Sequence, residues 1–225
     1  MGKLLSSKDR ILIGLSFFGD LLETIGDELP SKKKWHNNAF SMMGNNFRKN
    51  SYLSSVSRML KSELIERVVD NGVAKIRITS FGKEQFHRDF PFFKFQNQKW
   101  DGKWRIVTFD IPEKKRKIRQ NLRYKLRELG FAMLQKSIWI SPHNFEDDIR
   151  EFFDENKLGE IAFVFVAEKL LVGNIKDTVN KLWNLKKIND LYKKAKDKKS
   201  NQILCEALSK DPFLPKELLP KNWQG

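Results

Sequence analysis

Apolar positions in the first third of the chain follow a helical period and then switch to a strand period. Ile11, Leu12, Leu15, Phe18, Leu22 and Ile25 recur at three- and four-residue intervals, which predicts a helix capped by Ser7 or Asp9 and running to about Thr24. A loop with Pro30 and Lys32-Lys33-Lys34 follows, and a second helix is expected from Lys34 to Met43, stopping at Gly44. From Asn50 the helical spacing returns, with Leu53, Val56 and Leu60 on one side and Ser51, Ser54, Ser55 and Arg58 on the other. The period then becomes two. The β-branched run Ile65 to Val69, the turn Asp70-Asn71-Gly72 and a strand in which Val73, Lys75, Arg77 and Thr79 alternate with Ala74, Ile76 and Ile78 predict a hairpin. Thr79 or Ser80 caps a small closing helix, Phe81 to Arg88.

Residues 89–103 are dense in rings, with Phe90, Phe92, Phe93, Phe95, Trp100 and Trp104 around them, so they read as an aromatic linker whose rings pack one domain against the next. Beyond it the order of elements is regular. A strand to Asp110, a helix opened by Pro112 and Glu113 and stopped at Gly130, and strands Phe131–Gln135 and Ser137–Ile140 come first. A helix over 144–155 and a strand over 161–166 follow, with 170–172 a possible extension of the sheet. This βαββαβ order predicts a ferredoxin-like domain. A long basic helix is expected over 175–196, with Val179, Leu182, Ile188 and Leu191 periodic along it, and then a Pro-rich apolar tail. The fold class is therefore α+β, in four segments: a winged helix-turn-helix over 1–88, the linker 89–103, the ferredoxin-like domain 104–173 and a C-terminal helix and tail over 174–225.

Charge refines this picture. The chain of 225 residues carries 43 Lys and Arg against 28 Asp and Glu. Residues 1–100 hold 17 bases and 10 acids, residues 101–173 hold 14 and 12, and residues 174–225 hold 12 and 6. The middle is near neutral and the positive excess lies on the flanks, which suits a polyanion partner for the first segment. Cys205 is the only cysteine and the three histidines are scattered, so neither an intrachain disulfide nor a thiolate metal cluster is expected. The longest apolar run near the N-terminus, Ile11 to Phe18, is short and interrupted by Gly14 and Ser16, so no membrane span is expected and a cytoplasmic location is.

A helix followed at once by a basic two-stranded ribbon is the layout in which the helix enters a DNA major groove and the ribbon reaches the backbone. On that reading Lys49, Asn50, Ser51, Tyr52, Ser54, Ser55 and Arg58 face the groove, and Lys75 and Arg77 sit on the wing. Double-stranded DNA is the expected partner, and no cofactor is required. Helix-and-hairpin pairs also occur in small domains that bind nothing, so the polar outer face and charged wing carry the argument.

Three separated motifs resemble the PaaX family of bacterial transcriptional repressors. Leu15-Ser-Phe-Phe-Gly-Asp20 and Val56-Ser-Arg-Met-Leu60 are similar to its winged helix, and Trp100-Asp-Gly-Lys-Trp104 to the join with its central domain. Trp183-Asn-Leu, Tyr192 and the tail from Asp211-Pro-Phe-Leu-Pro to Trp223-Gln-Gly225 are similar to its C-terminal segment. The resemblance implies a homodimeric repressor that binds palindromic operators. It also implies a possible small-molecule effector. Because the stretch between Lys199 and Asp211 is short, the family's acyl-CoA effector is not carried over.

A second likeness lies in the middle. Val107-Thr-Phe-Asp-Ile-Pro-Glu-Lys-Lys-Arg116, Gly130 and Gln135-Lys-Ser-Ile-Trp139 resemble the ferredoxin-like nuclease subunit of CRISPR spacer acquisition. That resemblance implies the alternative function, a metal-dependent nuclease in which Asp110, paired across a dimer, is both catalytic and the ligand of Mg²⁺. The structural alternative is that Asp110 only places a carboxylate near the positive start of the following helix, since a shared fold does not confer shared chemistry.

Overall fold

The computed structural model describes residues 5–22, 39–43, 48–96, 98–170 and 174–225. Ser6 and Asp9 form a capping box at the start of helix α1 (Ser7–Phe18): the Ser6 hydroxyl accepts from the Asp9 amide, and the Asp9 carboxylate accepts from the Ser6 amide at 2.9 Å. The cap is thus Ser6, one residue before Ser7, and Asp9 is its capping-box partner rather than the cap itself. The helix is also shorter than the expected run to Thr24. Gly19, at φ 79°, ends it, and Leu21–Leu22 form strand β1. Residues 23–38 and 44–47, which include the first half of the expected second helix and its Gly44 cap, lie outside the described residues, although Ala39–Met42 form one 3-10 turn.

Helix α2 (Lys49–Lys61), strands β2 (Ile65–Asp70) and β3 (Val73–Ile78) and helix α3 (Ser80–Asp89) complete this part. The strands form an antiparallel sheet in the order β1-β3-β2, in register at Leu21↔Ile76, Ile65↔Ile78 and Asp70↔Val73. Asn71 (φ 50°) and Gly72 (φ 75°) make the two-residue hairpin turn left-handed, as the Asn-Gly pair dictates. Thr79 caps α3, accepting from the Gly82 amide at 2.9 Å. Ile11, Leu12, Leu21, Met42, Tyr52, Ile65, Ile76 and Phe86 are fully or almost fully buried around this sheet, each contributing about 1.5–3 kcal/mol by removal from water.

The second half is β4 (Trp104–Phe109), α4 (Arg116–Glu128), β5 (Ala132–Gln135), β6 (Ile138–Ser141), α5 (Glu146–Glu155) and β7 (Ala162–Ala167). The antiparallel sheet order β5-β6-β4-β7 with two helices is the ferredoxin-like arrangement. One sheet face supplies Val107, Phe109, Trp139 and Ala162 to a core completed by Leu122 and Leu126 of α4 and Ile149 and Phe153 of α5. A 3-10 turn, Glu113–Lys115, precedes α4. At its other end the Phe131 amide bonds back to Leu126 and the Gly130 amide to Arg127, a Schellman closure that puts Gly130 at φ 75° against the Phe92 ring.

The C-terminal segment is α6 (Ile175–Trp183), α7 (Leu185–Asp197), α8 (Asn201–Leu208) and a tail with a 3-10 turn at Lys216–Leu218. The single helix expected over 175–196 is therefore two, broken where Asn184 takes a left-handed conformation at φ 54°. The chain divides into two compact units: Met1–Phe90 with Lys187–Asp211 and Gln224–Gly225, and Pro91–Lys186 with Pro212–Trp223. The C-terminal segment is thus shared between units rather than separate. Within the first, the Asn201 amide donates to Ser41 Oγ at 2.7 Å, the Tyr192 hydroxyl to Asp211 at 2.6 Å and the Cys205 thiol lies 3.7 Å from Met42 Sδ. The aromatic stretch belongs wholly to the second unit from Pro91 onward, where Phe95 stacks on His143 at 4.2 Å and Phe93 meets Phe213 at 4.7 Å.

Candidate nucleic-acid interface

Tyr52, Ser55, Val56 and Met59, at the i, i+3, i+4, i+7 spacing, are the buried stripe of α2. The helix is therefore rotated relative to the Leu53–Val56–Leu60 face expected. Tyr52 is fully buried, edge-on to Phe40 at 5.4 Å, and Ser55 turns its hydroxyl back to the Ser51 carbonyl at 2.9 Å. Both residues leave the expected groove-facing set, for one physical reason: the apolar ring and the self-satisfied hydroxyl fill the interior while Leu53 turns outward, 46% exposed.

What α2 presents to solvent is Lys49, Asn50, Ser51, Leu53, Ser54, Ser57, Arg58 and Lys61. The Arg58 guanidinium lies along the helix, its Nε donating to the Ser54 carbonyl at 3.3 Å. Leu53 and Ser57 are the positions that sequence reasoning missed on this face, the first because a leucine at helical spacing was read as core. No acidic residue interrupts the stripe before Glu63.

The wing differs from expectation in its electrostatics. Lys75 and Arg77 do point outward, but each is already paired. Lys75 Nζ donates to Asp70 at 2.6 Å. Arg77 forms a fork on Asp20, with Nε at 2.9 Å from Oδ1 and an NH2 group at 2.6 Å from Oδ2. That hydrogen-bonded guanidinium holds the Asp20 carboxyl below the usual carboxylate range. The cross-strand neighbours of Lys75 and Arg77 include Glu66 opposite Arg77, so the outward wing face holds three acids, Asp20, Glu66 and Asp70, against two bases.

Asp110, the expected catalytic and metal residue, is exposed immediately after β4, and its amide donates to the Ile161 carbonyl at 2.8 Å. Among the described residues no three His, Cys, Asp or Glu side chains come together as a metal cluster. A cleft of about 230 Å³ in the second unit is lined by Phe95, Lys99, Trp100, His143 and Phe213, below the roughly 300–1,000 Å³ usual for small-molecule pockets. No helix among the described residues is long and apolar enough to cross a membrane.

Residues 97–179 match the family model described as the PaaX protein central Cas2-like domain. The chain is 24% identical over 161 residues, 59% of its length, to the transcriptional repressor PaaX of Escherichia coli K12, and spans about half the length of that curated relative (50%). Its fold is similar to that of an uncharacterized protein, Rv0674, from Mycobacterium tuberculosis, with a TM-score of 0.50 at 18% identity over 79% of this chain and 76% of that one. The βαββαβ sheet of the second unit lies within the matched stretch, so the similarity to the PaaX central domain falls on that sheet and its two helices.

Proposed function

We propose that the protein is a sequence-specific DNA-binding transcriptional regulator, a repressor acting as a homodimer. The observation that supports this reading best is the outward face of α2: cations, hydroxyls and an amide around one leucine, with no acid, on a helix that is followed by a β-hairpin. Asn50 and Arg58 have the donor and acceptor geometry to read base edges, while Lys49, Lys61 and the serines suit phosphates. Leu53 adds an apolar contact of the kind a thymine methyl accepts.

The dimer rests on a different observation. The sheet face of the second unit turned away from α4 and α5 carries Phe163 and Phe165, 50% and 53% exposed, in register with Thr108 and Ile106 of β4. Two exposed phenylalanines beside Ile106 and Ile138 form an apolar patch of the sort that a second copy buries. In the dimer the two α2 helices would read related half-sites.

The test is selection of duplexes from a randomised pool by the full chain at about physiological salt. Enrichment of a palindrome that Arg58→Ala no longer retains supports the reading; an unenriched pool overturns it. Phe163→Asp with Phe165→Asp is expected to yield a monomer in sedimentation and to lose the palindrome's second half-site.

A further inference from the structure

The two helices on the ferredoxin-like sheet carry opposite charge. Between Glu113 and Glu128 there are eight bases and two acids, whereas α5 has six acids and one base, Arg150. The domain's near-neutral total thus hides a basic edge and an acidic edge. On the basic edge, Arg119 is engaged by Glu113, and Arg123 donates to the Lys136 carbonyl at 2.8 Å. Lys114, Lys115, Arg116 and Lys117 remain, all exposed, and none has an ion-pair partner among the described residues. Along the same helix Gln120, Asn121, Tyr124 and Arg127 are also exposed, Tyr124 at 69%.

Every exposed side chain from Lys114 to Arg127 can therefore donate a hydrogen bond. An ordinary solvated helix mixes acids with bases to support itself through i,i+4 pairs; this one does not. Lys, Arg, Gln, Asn and Tyr are together the side chains that contact phosphate oxygens without reading sequence. We infer that the outer face of α4 and the turn before it form a second nucleic-acid surface, which takes the phosphate backbone of duplex DNA independently of the α2 face. The acidic α5 confines the backbone to the α4 edge, since a path across both helices would bring phosphates against Glu151, Asp154 and Glu155.

The experiment uses the full chain with Lys114, Lys115, Arg116 and Lys117 all changed to Gln, which keeps donors, helix propensity and length while removing four charges. A control chain with Lys193, Lys194, Lys196 and Lys198 changed to Gln loses the same charge from exposed positions of α7 and the turn just after it. Affinity for a fixed random-sequence duplex is measured from about 50 to 200 mM salt. Each phosphate contact contributes roughly 0.9 to the slope of log affinity against log salt, so the α4 variant is expected to lose about two to four units of slope and the control less than one. Equal losses in the two chains, or no loss in either, overturn the inference. Loss of self-association in sedimentation by the α4 variant, with its slope unchanged, also overturns it, because the basic edge would then meet the acidic α5 of a second copy. The Arg58→Ala test of the α2 reading is separate: it reports on sequence preference, whereas the α4 variant reports on affinity shared by all duplexes.

Discussion

Arg77 grips Asp20 with two nitrogens, joining the wing strand β3 to the residue that precedes β1 across 57 positions of sequence. An exposed pair of this kind adds little to stability because solvent screens it, but it occupies the fork that a phosphate would otherwise take. On the proposed DNA-binding reading, Arg77 of the wild-type chain is therefore expected to add little to duplex affinity. Asp20→Asn frees the guanidinium and is expected to raise affinity for all duplexes while steepening the salt slope by about one unit. The double variant with Arg77→Ala should return the slope to its starting value. A full unit of slope lost on Arg77→Ala alone would show that the backbone displaces Asp20 unaided.

Leu53 supplies the second prediction. A thymine methyl packed on its side chain is worth about 0.8 kcal/mol, the value of one buried methylene. Replacing thymine by uracil at one half-site position of the selected duplex should weaken wild-type binding about fourfold, and Leu53→Ser should be insensitive to the replacement. Titration of the two duplexes by fluorescence anisotropy reads both effects. Wild-type affinity that ignores every thymine methyl removes Leu53 from the contact.

These two positions also mark where the sequence was legible and where it was not. The hairpin was readable because Asn71-Gly72 has a local conformational cause, and the ferredoxin-like order because short apolar runs and amphipathic helices alternate with clear stop signals such as Pro112, Gly130 and Pro142. The phase of α2 was not. Leucine outranks tyrosine and serine on any hydrophobicity scale, so helical spacing places Leu53 inward, yet the buried stripe uses Tyr52, edge-on to Phe40, and Ser55, whose hydroxyl is satisfied by the Ser51 carbonyl. β1 has only two residues, too few for any alternation to show. Asn184 breaks a helix whose apolar spacing continues across it, and α8 was passed over although Ser200 caps it and Cys205, Ala207 and Leu208 are its buried face. The neutralised wing was out of reach, because Asp20 and Arg77 meet only after the sheet has formed.

Tyr192 and Asp211 form a buried pair whose loss should be measurable. Burial, reinforced by the Asp211 charge, pushes the Tyr192 phenol above its ordinary range, so it stays protonated and donates its hydrogen at 2.6 Å. A hydrogen bond to a charged group contributes about 1.5–3 kcal/mol. Tyr192→Phe is expected to lower the unfolding free energy by that amount in urea titrations at neutral pH. A loss under about 0.5 kcal/mol would mean that the pair is energetically idle.

His143 predicts a pH dependence. Its Nε2 lies 2.7 Å from the Pro212 carbonyl, and because a carbonyl only accepts, Nε2 carries the hydrogen. Burial between Phe95 and Phe145, together with the Arg105 charge and despite the Pro212 bond, lowers its pKa to about 4. The unfolded chain, near 6.5, binds a proton first as pH falls, so it is favoured between the two values. Stability is then complete above about pH 6.5 and declines by on the order of 3 kcal/mol as pH approaches 4. The Asp101 carboxyl, held below its ordinary range by its hydrogen bonds from Arg105, keeps its stabilising contribution across this window and loses it only at lower pH. His143→Gln keeps a donor for Pro212 but cannot titrate. Its unfolding free energy, measured at intervals from pH 7 to 4.5, should fall much less steeply than that of the wild type, whatever its value at pH 7. Parallel curves for the two chains would show that His143 takes up its proton without unfolding, and that the ring is less enclosed in solution than its packing implies.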